Sequence, residues 1–292
     1  MTKLTQLLFI LLFSIIAQSQ TKKFKVVLDA GHGGKDYGAT YHGNIEKKIS
    51  LNTVLKVGEI LSKESNIDVV YTRKTDLFVE LNERANIANR SKGHLFVSMH
   101  CNANDNQSAS GTETYVMGVT RNAANLEVAK KENAVVTLES DYKIKYDGFD
   151  PKSPESVMGI SIMQEENIQQ SIDIAGKVQQ AFTKFTTSKN RGVKQAGFLV
   201  LRKIIMPRVL IEMGFVSNKD EGAFLNSTDG QNKLAEAISK AILEYRNDFF
   251  KLETPVAPKK DEPKKETTKK DEPKKSDVKH STDNKTAIDG VI

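Results

Sequence analysis

The chain of 292 residues has one cysteine and no tryptophan. A single cysteine excludes an intramolecular disulfide framework and any CxxC-type zinc or iron–sulfur site, since each needs at least two thiols. Charge of one sign is in short surplus: 43 Lys and Arg stand against 37 Asp and Glu, a formal net charge of +6. No segment interleaves basic with aromatic residues as a nucleic-acid groove would, so no nucleic acid is expected as a partner. A stretch able to cross a bilayer, about 20 apolar residues, is also missing. The apolar block from Leu7 to Ala17 is far shorter.

That block follows Lys3 and leads into Ala17-Gln18-Ser19, a small-x-small exit of the kind signal peptidase cuts. Residues 1–19 therefore read as a signal peptide, and the protein is expected outside the cytoplasm, in the periplasm or at the cell surface. With no cysteine after the block, a lipoprotein anchor is excluded. At the other end, Lys259-Lys260-Asp261-Glu262-Pro263-Lys264-Lys265 recurs as Lys269-Lys270-Asp271-Glu272-Pro273-Lys274-Lys275. So polar a segment cannot bury enough surface to offset its ordering entropy, and residues 251–292 read as a disordered Lys/Pro-rich tail. Between the two ends, residues 20–250 form one domain by length.

Within it, Phe24 to Asp29 is a β-branched run that empties into Gly31-His32-Gly33-Gly34, a buried strand leading to a glycine-rich loop. Asn44 is placed to cap a helix starting at Ile45, and further helices are expected over Val79–Ser91, Gln170–Thr186 and Gln231–Phe249 from their apolar spacing. Strands are expected at Ile67–Tyr71, His94–His100, Thr112–Met117, Gly197–Leu201 and Arg208–Met213. The alternation predicts an α/β domain with a mostly parallel central sheet.

Ligands in such sheets gather at the carboxyl ends of strands. His32 follows the first strand, His100 ends the third, Glu212 lies near the end of Val209-Leu210-Ile211-Glu212, and Glu46 opens the first helix. Two imidazoles and a carboxylate can hold zinc with a fourth position left for water, and a second carboxylate can serve as base. Each residue also has a plainer reading. His32 can be a turn residue, Glu46 can favour the positive end of its helix, and His100 can be a hydrogen-bonded strand terminus. Glu212 is hardest to explain that way, because a carboxylate among Val209, Leu210, Ile211 and Met213 carries a large desolvation cost unless paired.

Val27-Leu28-Asp29-Ala30-Gly31-His32-Gly33-Gly34 with Asp36 and Gly38, then Glu46, Ser98-Met99-His100-Cys101-Asn102-Ala103, and Pro207 to Asn218 resemble the zinc-dependent N-acetylmuramoyl-L-alanine amidases of the amidase 3 type. The motifs keep the family's order, and the resemblance runs over nearly all of Phe24 to Tyr245. It implies His32, Glu46 and His100 as ligands of Zn2+, Glu212 as the catalytic carboxylate, and a twisted six-stranded sheet flanked by helices. It also implies the substrate: peptidoglycan, cut at the amide between the lactyl group of N-acetylmuramic acid and the first L-alanine of the stem peptide, in wall remodelling or daughter-cell separation. Cys101 departs from the family, which usually has a small residue such as alanine there. A thiol nucleophile paired with His100 is disfavoured, since neighbours in a strand point to opposite faces. No role is assigned to His42, His94 or His280.

The stretch from Tyr115 to Gln170 is longer than such an amidase requires, with helix expected over Asn122–Glu139 and Val157–Ile168. Some relatives carry an insertion here whose helix covers the site and donates an acidic residue to the zinc until an activator protein displaces it. Residues 119–168 are the corresponding candidate lid. Glu165 and Glu166 are the candidate blocking residues, or else plain solvent-facing charges. Two other functions stand beside the amidase: a zinc peptidase cutting elsewhere in the stem peptide, and a non-catalytic wall-binding protein.

Overall fold

The computed structural model describes residues 23–160 and 167–253. The expected signal peptide, nearly all of the expected tail, and Glu165 and Glu166 lie outside the described residues. In chain order the elements are β1 (Phe24–Ala30), β2 (Thr40–Tyr41), β3 (Asn44–Ile45), α1 (Glu46–Leu61), β4 (Ile67–Tyr71), α2 (Leu81–Ser91), β5 (Leu95–Asn102), β6 (Thr112–Met117), α3 (Ala123–Asn133), α4 (Tyr142–Lys145), α5 (Pro154–Ile160), α6 (Ile168–Phe185), β7 (Asn190–Ala196), α7 (Leu199–Arg202), β8 (Arg208–Phe215), α8 (Lys219–Asn226) and α9 (Thr228–Glu253). A 3-10 turn, Ala134–Leu138, continues α3.

Among the described residues the main sheet has six strands in the order β4-β1-β5-β8-β6-β7. Every neighbouring pair is parallel except β6 with β8, as expected of a mostly parallel sheet. β5 and β8 are buried along their whole length, which is why they read as near-continuous apolar runs. Alternate residues face two separate cores. Val26, Leu28, Val97, Met99, Cys101, Val209 and Ile211 pack on one side with apolar residues of α1, α6 and α9. Val27, Phe96, Tyr115, Met117 and Leu210 pack on the other with residues of α2, α7 and the insertion. By the same two-residue period, His100, Glu212 and Glu113 belong to the insertion side.

Two local expectations are corrected. Asn44 does not cap the first helix: it lies in β3, Ile45 is the cap residue without a side-chain bond, and the helix opens at Glu46. Gly197–Leu201 is not a strand. The strand is the preceding polar segment Asn190–Ala196, which can be polar because it is the sheet edge, and Leu199–Arg202 is a helical turn with Leu199, Val200 and Leu201 buried. A short apolar run cannot by itself separate strand from buried helix. The insertion buries Val136, Tyr146, Phe149 and Val157. Its helix α3 starts where the sequence suggests, with Asn122 accepting from the Asn125 N–H.

A buried ionic network fixes the carboxyl end of β1. Asp29 accepts from Arg84 Nη1 at 2.8 Å, Ser98 Oγ at 2.6 Å and Thr72 Oγ1 at 2.5 Å. Burial would raise its carboxyl, but Arg84 and the two hydroxyls hold it below the usual range. Arg84 also donates to the carbonyls of Ala30 (2.6 Å) and His32 (2.7 Å), and Arg73 to those of Ala30 (2.9 Å) and Gly31 (2.6 Å). Arg84→Met leaves Asp29 ionised and unpaired in the interior, and the expected loss is about 3–5 kcal/mol of unfolding free energy. Urea denaturation of the variant checks this; a change under about 1 kcal/mol, the worth of an exposed pair, refutes it.

Candidate active site

The loop that follows β1 brings His32 to the edge of the sheet in a left-handed conformation, φ 58°, which a residue with a side chain adopts at a cost of order 1–3 kcal/mol. The arginine bonds to the carbonyls on either side hold it there. Two glycines leave the space the site needs. A Cβ on Gly31 would lie 2.4 Å from His100 Cε1, and one on Gly38, itself at φ +63°, would lie 2.7 Å from both Glu46 Oε2 and His32 Cδ2. His32 Nδ1 is bound to Asp36 Oδ2 at 2.7 Å, so Nε2 is the nitrogen turned to its neighbours. This is the usual way a carboxylate orients a metal-binding imidazole.

Glu46 is 1% exposed at the first turn of α1. Its Oε1 accepts from the Cys101 N–H at 2.9 Å and its Oε2 from the Ala39 N–H at 2.8 Å, which locks the carboxylate between the end of β5 and the loop before β2. Around Glu46 Oε1 stand His32 Nε2 at 3.0 Å and His100 Nδ1 at 3.2 Å. The two imidazole nitrogens are 3.2 Å apart. The structure thus brings together all three residues expected to hold a metal. It adds a fourth, Glu132, whose Oε2 lies 2.8 Å from His100 Nδ1 and 3.4 Å from His32 Nε2.

One donor atom from each of His32, Glu46, His100 and Glu132 lies within 4.8 Å of the others. Bonds of 2.0–2.2 Å to a tetrahedral zinc require donors roughly 3.3 Å apart. The five separations above, 2.8–3.4 Å, lie at or a few tenths of an ångström below that edge length. Charge gives the same answer, because two neutral imidazoles and two carboxylates balance one divalent cation. Among the protein's own groups, burial opposes the imidazolium of His100, yet Glu132 and Glu46 raise its pKa to about 10. His32 is likewise raised well above its usual value, Glu46 and Asp36 outweighing burial. A metal ion bound to this donor set would displace those protons.

Glu212 is fully buried, pairs in register with His100 across β5 and β8, and has no hydrogen-bond partner on either carboxylate oxygen among the described residues. Burial, reinforced by the Glu132, Glu46 and Glu113 carboxylates, holds its carboxyl well above the ordinary range. A carboxyl poised to carry a proton beside a metal site has this character. Cys101 lies on the opposite face of β5, in the other core. Burial and then Glu46 raise its thiol well above the usual value, so it is no thiolate nucleophile. His42 Nε2 meets the Ser217 carbonyl at 3.2 Å, and His94 stacks on Phe24 at the far end of the sheet.

Glu132 escaped the sequence reading. Its signal was a carboxylate in the last turn of a helix, where the macrodipole disfavours negative charge, next to Lys130 and Lys131. The turn is anchored by Asn133, whose Nδ2 donates to the Gly197 carbonyl at 2.8 Å while its Oδ1 accepts from the Leu199 N–H at 2.8 Å. A cleft of about 460 Å³ opens beside the cluster, lined by His32, Glu46, Asn102, Lys131, Glu132 and Leu138 among others.

Residues 26–244 match the family model described as N-acetylmuramoyl-L-alanine amidase. The chain is 34% identical over 237 residues to the endolysin of Bacillus phage SPP1, covering 81% of this chain and 71% of that one. Among solved structures it resembles the N-acetylmuramoyl-L-alanine amidase AmiC2 of Nostoc punctiforme at 31% identity and a TM-score of 0.57, over 78% of this chain and 99% of the other. It resembles the CwlD amidase from Clostridioides difficile, solved in complex with the GerS lipoprotein, at 25% identity and a TM-score of 0.57, over 77% of this chain and 100% of that one. These matches select the amidase over the stem-peptide peptidase and the non-catalytic wall binder. With its motifs in order and its sheet as expected, the chain belongs to the N-acetylmuramoyl-L-alanine amidase family of peptidoglycan hydrolases.

Proposed function

We propose that this amidase works with zinc held by His32, Glu46 and His100, with Glu212 as its proton carrier, and that Glu132 blocks the site in the resting protein. The observation that carries the reading is the convergence of four donor side chains from separate segments at tetrahedral spacing beside a buried, unpartnered carboxyl. Zinc bound there supplies Lewis acidity that polarises the scissile carbonyl and makes water a better nucleophile near neutral pH. Glu212, ionised once a cation is bound beside it, takes a proton from the water that attacks the carbonyl carbon and delivers it to the L-alanine nitrogen as the C–N bond breaks. Its lack of a hydrogen-bond partner leaves both oxygens available for that transfer. Asp36 keeps His32 in the tautomer that offers Nε2.

Glu132 would occupy the fourth position that the reaction needs for water or substrate. Glu165 and Glu166, also expected as candidates for this part, lie outside the described residues. The insertion packs Val136, Tyr146, Phe149 and Val157 into the second core, and around the site it is also held by polar contacts: Lys35 Nζ donates to the Leu138 carbonyl at 2.5 Å, Lys131 Nζ to the Ala103 carbonyl at 3.0 Å, and the Leu81 N–H to Glu139 Oε1 at 2.9 Å. A partner protein could exchange these for its own contacts, and one amidase relative is solved in complex with a lipoprotein. Export to the compartment that holds the wall follows from the leader-like residues 1–19 and the polymeric substrate. No described helix is long and apolar enough to cross a membrane.

Digestion of purified peptidoglycan, with and without chelator, followed by mass spectrometry, tests the core of this reading. Peptides with a free N-terminal L-alanine are expected, and their release should stop with chelator and resume with added zinc; chelator-insensitive release removes the metal from the mechanism. Glu212→Gln is expected to keep bound zinc while turnover drops by a factor of about 100 or more. Near-normal turnover in that variant would take Glu212 out of the reaction. Glu132→Ala should raise basal turnover several-fold with zinc content unchanged, whereas a loss of zinc would make Glu132 an obligatory ligand and end its role as a block.

A further inference from the structure

The polar residues of the site continue beyond Glu212. In the sheet register His100 stands opposite Glu212, and Glu212 opposite Glu113. Opposed residues project to the same face, so a row of functional groups runs from the metal cluster across β8 to β6. Glu113 is 2% exposed and is heavily satisfied. Arg191 Nε and Lys194 Nζ both donate to its Oε1, Lys194 at 2.6 Å, while the Tyr115 hydroxyl at 2.7 Å and Asn102 Nδ2 at 3.1 Å donate to its Oε2.

Two cations on one carboxylate leave a net positive charge, and it is reachable. The Arg191 and Lys194 side chains are 30% and 20% exposed above the buried Glu113. Arginine has five N–H donors and lysine three; the bonds to Glu113 and from Arg191 Nη1 to the Ser110 carbonyl use a minority of them. The guanidinium is further set in place over the Phe215 ring, 5.1 Å from its centre. These cations are therefore pre-positioned, with donors to spare, in a region otherwise dominated by the carboxylates of Glu46, Glu132 and Glu212.

Distance says what they can meet. Neighbouring strands are about 4.8 Å apart, so two steps from Glu212 on β8 to β7 span roughly 10 Å, the reach of about three extended residues. Asn102, which lines the cleft and is tied to Glu113, lies along the way. The first turn of α3 borders the same edge, Asn125 Nδ2 donating to the Gln195 carbonyl at 3.3 Å. We propose that Arg191 and Lys194 form a subsite for a carboxylate of the stem peptide, carried two or three residues beyond the scissile amide. This rests on Glu212 marking the position of that amide. The subsite gives an anionic peptide an attractive contact where the site would otherwise repel it, so it selects between acidic and amidated stems.

The test uses muramoyl-L-alanyl peptides in which the carboxylate of the second residue, or of the third, is either free or converted to the carboxamide. The ratio of kcat/KM for acid over amide is measured in the full-length protein and in its Glu132→Ala form, each also carrying Arg191→Met, Lys194→Met or the conservative Arg191→Lys. Losing one charge-assisted contact should cut the ratio roughly tenfold or more for whichever position the subsite reads, with part of it restored in Arg191→Lys. The loss should fall mainly on KM, with zinc content unchanged. Equal slowing of acid and amide substrates, or an acid-to-amide ratio that does not move, overturns the proposal and makes the cluster a structural support. Failure of the catalytic reading would show separately, as activity surviving Glu212→Gln whatever the ratios do.

Discussion

The buried bond between Asp29 and Arg84 is the interaction on which the site depends. β1 must stop abruptly, and the chain must turn so that His32 reaches the sheet edge with a positive φ. A residue with a side chain adopts that conformation only rarely. Arg84 and Arg73 draw the carbonyls of Ala30, Gly31 and His32 towards fixed cations, and Asp29, ionised and held by Ser98 and Thr72, fixes Arg84 in turn. The loop is thus anchored by its backbone, which leaves the His32 ring free for Asp36 on one nitrogen and for the cluster on the other.

The second constraint is charge. Glu46, Glu132, Glu212 and Glu113 occupy one end of the sheet with little access to water, an arrangement that repels itself unless cations are interleaved. The protein uses different cations at the two ends of the row. Arg191 and Lys194 neutralise Glu113 permanently, whereas Glu46 and Glu132 face imidazoles whose raised proton affinity marks a place a divalent ion can take over. Glu212 between them has neither, and its carboxyl accordingly favours the proton. One end of the sheet therefore holds a permanently paired carboxylate, two carboxylates that face imidazoles and a carboxyl that has no cation of its own.

Much of this was legible in the sequence, for reasons that are local. His32 beside glycines, His100 and Glu212 at the ends of apolar strands, and Glu46 opening a helix stand out because each breaks a pattern that burial would otherwise impose. The apolar run Gly197–Leu201 misled for the converse reason, since it is apolar through packing under α2 while the true edge strand beside it can be polar. Glu132 broke no pattern strongly enough to be seen. It lies on a mostly polar helix, and its part in the site is set by where Asn133 ties that helix to the Gly197–Leu199 backbone, a contact about 65 residues away along the chain.

By itself, then, the sequence determined the class of fold, the family and the three donors and one carboxyl expected to do the chemistry. Strand periodicity, glycine and the desolvation cost of a lone buried charge all act over a few residues. Tertiary structure alone decided which carboxylate of the insertion meets the imidazoles, that His100, Glu212 and Glu113 form one row, and that Arg191 and Lys194 stand at its end. Those are matters of strand order and register. β6 runs antiparallel to β8 and carries β7 with it, and no local signal specifies which residues such a pairing sets opposite each other.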